Sequence, residues 1–204
     1  MKNDKEFAEY ISKNCIHRVK DGYMFGKLAG TRYSSQYYMA RGLYNRDFLE
    51  YVSLRFYEIV KKEIGHFNFQ ITGREWAAFP LIIGLPIFLK KNHNIDINSF
   101  MIKRERKAYG LHNYIEGVPN ELPVLIVDDL CNSTDGFRFC KNVLVDTENM
   151  EVLPFIFAVV NKESKNGREN GLTTDKYLSK EFRALYILCG DDISNAVMRR
   201  NTTN

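Results

Sequence analysis

The segment Pro123-Val-Leu-Ile-Val-Asp-Asp-Leu-Cys-Asn-Ser-Thr-Asp-Gly136 carries the densest chemistry in the chain. A fully apolar run ends in two adjacent carboxylates, Asp128 and Asp129, and then enters a polar turn with the residues of a helix start. Carboxylates accept hydrogen bonds from two vicinal hydroxyls of a ribose. Backbone amides at a helix start, here those of Asn132, Ser133, Thr134, Asp135 and Gly136, cradle a phosphate. The pair and the turn together read a sugar phosphate. The bland alternative is that Asp128 and Asp129 merely end a strand while Ser133, Thr134 or Asp135 caps a helix.

A second cluster, Lys103, Arg104, Arg106 and Lys107, is the densest basic run and is followed by a turn at Gly110. It suits a small anion, although charge runs also occur simply as solvated loops.

The elements that must position these groups follow from hydrophobic spacing. From Asn45 to Ile64 the residues Phe48, Val52, Phe56, Ile59 and Val60 recur at helical intervals, with Asn45 placed as the cap and Gly65 as the stop. Short apolar runs follow at Phe67 to Thr72, Ser99 to Ile102, Val124 to Val127, Leu153 to Val160 and Ala184 to Leu188, separated by lengths that suit helices. This alternation predicts an α/β fold with a mainly parallel twisted sheet flanked by helices. Ligands in such sheets bind at the carboxyl ends of strands. We divide the chain into an N-terminal helix and hood segment over residues 1–43 and an α/β core over residues 44–204.

Bulk composition narrows the function classes. The 204 residues suit one core. Lys and Arg number 29 against 25 Asp and Glu, a formal charge of +4, which argues against nucleic acid as the main partner. Cys15, Cys131, Cys140 and Cys189 show no paired spacing for zinc and are expected as free thiols. The N-terminus has no apolar signal core, and the most hydrophobic stretch, Trp76 to Leu89, is short and broken by Pro80 and Pro86. No membrane partner and a cytoplasmic location are expected.

The apolar strand, acidic pair and Thr- and Gly-containing turn resemble the signature of the type I phosphoribosyltransferases. Within that group the chain is similar to the orotate phosphoribosyltransferases. Lys103-Arg-Glu-Arg-Lys-Ala-Tyr-Gly110, followed by Ile115-Glu-Gly117, matches their mobile catalytic loop, with Tyr109 where the family usually has His. Phe25-Gly-Lys-Leu-Ala-Gly30 and Ser35-Gln-Tyr-Tyr38 resemble the aromatic elements of their base pocket, and Val160-Asn161-Lys162-Glu163 resembles the segment that meets the base. Gly73-Arg-Glu-Trp-Ala-Ala-Phe-Pro80 resembles their pyrophosphate loop.

The resemblance implies a protein that binds phosphoribosyl pyrophosphate and transfers the 5-phosphoribosyl group to a nitrogenous base such as orotate, releasing pyrophosphate. Lys103, Arg104 and Lys107 would neutralise the leaving group, and Asp128 and Asp129 would orient the ribose and meet Mg2+ indirectly, through the substrate. Gly73, Arg74 and Glu75 join the phosphate contacts, Tyr37, Tyr38 and Lys162 form the base pocket, and the working unit is a homodimer with shared sites. Ala77 and Ala78 replace the loop's paired glycines, which let a backbone approach phosphate. Thr134 or Asp135 stands where the phosphate loop has glycine, and an Asp there would repel phosphate. These departures favour the alternative of a non-catalytic regulatory or effector subunit that binds phosphoribosyl pyrophosphate or a nucleotide.

Overall fold

A computed structural model describes residues 1–18, 24–25, 32–33, 35–106, 113–131, 135–162 and 182–202, without side chains for 24–25, 32–33 and 197–202. The chain opens with helix α1 (Asp4–Tyr10), capped by the Asn3 side chain and continued by a wide π turn over Ile11–Cys15. Four short strands follow: β1 (Ile16–Arg18) pairs antiparallel with β4 (Ser35–Tyr37), and β2 (Met24–Phe25) with β3 (Arg32–Tyr33). A single turn, α2 (Ala40–Leu43), leads to the long helix α3 (Arg46–Glu63). Asn45 caps α3 by accepting from the Phe48 amide, and Gly65 stops it with φ +84°, as the sequence predicts.

The core alternates as expected. β5 (Gln70–Arg74), α4 (Phe79–His93), β6 (Ser99–Ile102), β7 (Ile115–Glu116), β8 (Val124–Cys131), α5 (Asp135–Asn142), β9 (Val152–Asn161), β10 (Arg183–Cys189) and α6 (Gly190–Thr202) follow in order. One six-stranded sheet runs β10-β9-β8-β5-β6-β7. Every pairing in it is parallel except β6 with β7. The expected α/β class and mainly parallel sheet are present.

Two strands differ from expectation by more than one residue at an end. The first begins at Gln70 rather than Phe67, because Phe67 stacks on Tyr57 with ring centroids 5.6 Å apart and so serves the packing below the strand instead of the ladder. β8 runs on past Val127 to Cys131, pairing Asp128 with Ala158 and Cys131 with Asn161 of β9.

Both faces of the sheet are covered. Ile71, Leu125, Val127, Phe157 and Leu185 share a core with Phe48, Val52 and Phe56 of α3, Leu81 and Leu85 of α4, and Phe7 and Ile11 of α1. On the other face Phe100, Ile126, Ile156 and Ala158 meet Phe137 and Cys140 of α5. The six-stranded sheet thereby carries its strand ends between two helical layers, with β8 near the middle.

Candidate functional site

The acidic pair is part of β8, near the sheet centre, where neighbouring backbones crowd it. Gly73 at the end of β5 makes that crowding possible: a methyl there would lie 2.3 Å from the Val127 carbonyl oxygen and 2.3 Å from Cβ of Ala78. Only glycine permits this approach. It brings Arg74, the next residue, beside Asp128.

The start of α5 closes the other side. A methyl on Gly136 would stand 3.6 Å from Asp128 Oδ2 and 3.7 Å from Arg74 Nη2, so carboxylate, guanidinium and first helical turn converge on one point. Cys140, one turn further along α5, faces the same charges. Burial, with Asp128 adding to it, pushes its thiol up to about 12.

This setting governs the protonation of the pair. Burial pushes Asp128 well above the usual carboxylate range, the neighbouring Asp129 charge adds to the rise, and Arg74 opposes it without cancelling it. Burial also raises Asp129. The Asp129 amide donates to Asp128 Oδ1 at 2.8 Å. Among the described residues no lysine or arginine forms an ion pair with either carboxylate. A half-buried carboxylate pair of this kind favours ligands that bring positive charge or donate hydroxyls.

The end of β6 is built differently. Lys103 is buried, and its ammonium donates to Asn113 Oδ1 at 2.9 Å and Glu116 Oε1 at 3.3 Å, across the antiparallel pairing of β6 with β7. Its neighbour Arg104 donates its backbone amide to Glu75 Oε1 at 3.0 Å, while the Glu75 amide donates to the Ile102 carbonyl at 2.9 Å. These bonds tie the chain after β5 to the chain after β6. Arg106 lies 5.1 Å from the centre of the Tyr114 ring.

A third group gathers at the ends of β8, β9 and β10. The Lys162 amide donates to the Cys131 carbonyl at 2.9 Å, and its ammonium sits 5.0 Å from the Tyr37 ring centre. Burial lowers the Lys162 pKa and raises that of the Tyr37 phenol. Tyr37 and Lys162 thus meet, whereas Tyr38 is exposed beneath Arg41.

The structure therefore gathers Arg74, Asp128 and Gly136, joins Glu75 to Arg104, and joins Tyr37 to Lys162. Asp135 opens α5. Lys107, Asn132, Ser133 and Thr134 lie outside the described residues. Sequence reasoning missed Asn113 and Glu116 as the partners of Lys103, and Cys140 as a neighbour of Asp128. Cys140 had a signal, since it lies four residues after Gly136 and hence on the same helical face. The partners of Lys103 had none, because they depend on strand pairing.

The donor set bears on a metal ion. Among the described residues no group of three or more His, Cys, Asp or Glu could hold one. Two adjacent carboxylates still fit magnesium, which typically takes one or two protein carboxylates together with substrate phosphate oxygens.

No family model matches the chain. Curated relatives are distant. The orotate phosphoribosyltransferase of Pseudomonas fluorescens (strain Pf0-1) is 25% identical over 134 residues, 66% of this chain and 63% of that protein. That of Bifidobacterium longum (strain DJO10A) is 25% identical over 55% of this chain and 48% of its own length. The chain thus spans less than two thirds of the curated relatives it matches. Solved structures agree more extensively in fold. The Aeropyrum pernix orotate phosphoribosyltransferase has a TM-score of 0.70 at 18% identity, covering 95% of this chain and 98% of its own. The Mycobacterium tuberculosis orotate phosphoribosyltransferase in complex with Fe(III) dicitrate has a TM-score of 0.69 at 16% identity, covering 93% and 98%. Common architecture and distant sequence similarity lead to one conclusion: the chain is orotate phosphoribosyltransferase-like, with the fold of the type I phosphoribosyltransferases.

Proposed function

We propose that this protein binds phosphoribosyl pyrophosphate at the carboxyl ends of β5, β6 and β8 and transfers the 5-phosphoribosyl group to a nitrogenous base. The observation that carries the reading is the half-buried Asp128–Asp129 pair, raised in pKa, with Arg74 and the start of α5 converging on it.

Vicinal ribose hydroxyls donate to Asp128 and Asp129, which orients the sugar. The bond from the ribose anomeric carbon to pyrophosphate breaks with its electron pair leaving on oxygen, and a ring nitrogen of the base forms the new bond as its proton passes to solvent or the departing pyrophosphate. Positioning and charge stabilisation supply most of the barrier reduction. Magnesium, when bound with the substrate, offsets charge on the pyrophosphate oxygens. Arg104 and Lys107 neutralise the leaving group; Lys103 joins them only on release from Glu116, and Arg74 faces the phosphoribosyl side. Lys107, Asn132, Ser133 and Thr134 take their roles from the family resemblance alone. Tyr37 offers a stacking face and Lys162 a cation to a carboxylated pyrimidine such as orotate. The working unit is a cytoplasmic homodimer. No described helix is long and apolar enough to cross a membrane.

A second reading, a binding subunit without turnover, is favoured by Ala78. Its side chain is fully buried and fills the space against Gly73 where the family's loop has glycine. Pyrophosphate release with a panel of bases separates the two. Release with carboxylated pyrimidines supports transfer, purine-only activity contradicts the orotate-like assignment, and release without any base indicates hydrolysis. Binding of phosphoribosyl pyrophosphate without release supports the subunit.

A further inference from the structure

β5 and β6 run parallel and stay in register up to Arg74 opposite Ile102. Amides of the first chain donate to the second along this ladder, Ile71 to the Asn98 carbonyl and Glu75 to the Ile102 carbonyl, each at 2.9 Å. By the even spacing of a parallel ladder the next rung belongs to the Arg104 amide, donating back to a main-chain carbonyl. It ends on a side chain instead. The chain leaves the sheet at Glu75 to start α4, and the Arg104 amide donates to Glu75 Oε1 at 3.0 Å. The Glu75 carboxylate stands in for a carbonyl and extends the ladder by one bond. From the β7 side, the Lys103 amide donates to the Tyr114 carbonyl at 2.8 Å. The root of the basic run is thus held by both neighbours. Its side chains differ. The Lys103 ammonium is taken by Asn113 and Glu116, and Arg106 lies against the Tyr114 ring. Arg104 is exposed and, among the described residues, forms no ion pair.

We infer that Glu75 is a positioning residue for the leaving-group end of the site: through the Arg104 amide it fixes where the Arg104 guanidinium stands when phosphoribosyl pyrophosphate arrives. The inference rests on the proposed binding of that ligand. A carboxylate beside a site for a polyanion costs affinity by like-charge repulsion, so what Glu75 contributes must be positional. Main-chain amides bond more strongly to a carboxylate than to a neutral oxygen, and this bond falls on the described residue of the run whose charge is unanswered. Arg74, one residue earlier, meets Asp128 and the start of α5. Consecutive residues therefore serve the two ends of one ligand, Arg74 at the phosphoribosyl side and Glu75, acting through Arg104, at the pyrophosphate side. Glu75 takes a main-chain amide in place of the phosphate contact that its position in the sequence suggests.

Isothermal calorimetry with magnesium and phosphoribosyl pyrophosphate on the wild type, Glu75→Ala and Glu75→Gln separates position from charge. A Gln side chain still accepts from the Arg104 amide but carries no charge. Glu75→Ala is expected to bind about tenfold more weakly, the worth of one hydrogen bond to a charged group. Glu75→Gln should bind as tightly as the wild type or more tightly. In the ligand-free proteins, hydrogen exchange at the Arg104 amide should be about tenfold faster in Glu75→Ala than in the other two. Glu75 is half-buried at a strand end, so both variants should keep the circular dichroism of the wild type. Equal or tighter binding by Glu75→Ala, binding by Glu75→Gln as weak as by Glu75→Ala, or equal exchange in all three proteins would overturn the inference alone. Absence of binding by the wild type would overturn the proposed function and the inference with it.

Discussion

Two strands on either side of β5, namely β6 and β8, hold charge near their ends in opposite ways. At the end of β6, Lys103 is satisfied, since Asn113 and Glu116 both accept from its ammonium. At the end of β8, Asp128 and Asp129 crowd together with Arg74 as their nearby cation and remain raised in pKa. The satisfied charge contributes to the fold. The crowded pair costs stability until something neutralises it, as is common at functional sites. A group's type therefore does not reveal its role; whether its neighbours already answer its charge does.

The largest expected effect falls on the acidic end. Asp129→Asn should weaken binding of magnesium and phosphoribosyl pyrophosphate at least about a hundredfold, by analogy with removing one partner of a desolvated charged contact, and abolish the rise in melting temperature that the ligand is expected to give the wild type. Retained shift in the variant would break the contrast. The ligand-free Asp128→Asn protein should at the same time be as stable as the wild type or up to about 1 kcal/mol more stable, because a crowded, half-buried carboxyl has been removed. Chemical denaturation checks this.

The satisfied end should behave in the reverse way. Lys103→Met leaves Glu116 and Asn113 without their buried cation and should destabilise the ligand-free fold by about 1–3 kcal/mol. An unchanged denaturation midpoint would show that the Lys103 contacts contribute nothing.

A smaller effect should appear with pH. A carboxyl whose folded pKa is raised binds more protons folded than unfolded, so stability is full below the ordinary carboxylate value, about 4, and falls as pH rises through the folded value. Thermal melts of the ligand-free protein should show this slope, and Asp128→Asn should flatten it. Identical slopes in the two proteins would place the pH dependence elsewhere.

Much of this architecture was legible in the sequence, for identifiable reasons. Asn45 and Gly65 bound α3 through local cap and stop chemistry, and Ser99 to Ile102 forms a strand with the bounds its apolar run suggests. The acidic pair was visible as a strand-end feature. Its place inside the ladder was not, because that depends on Asp128 pairing with Ala158 of β9. Lys103 looked like one more solvated charge of a basic run; its burial comes from Glu116, thirteen residues away across an antiparallel pair. The convergence of Arg74 with Asp128 depends on the close approach at Gly73, where the glycine had suggested a phosphate contact rather than strand packing.

The central claim is that the raised acidic pair is the group that the ribose hydroxyls of magnesium-bound phosphoribosyl pyrophosphate engage. Its most direct test is isothermal calorimetry of the wild type and of Asp129→Asn with magnesium and phosphoribosyl pyrophosphate at about pH 7. The account predicts saturable binding by the wild type and its loss in the variant. No binding heat from the wild type at millimolar ligand, or equal binding by the variant, would contradict it.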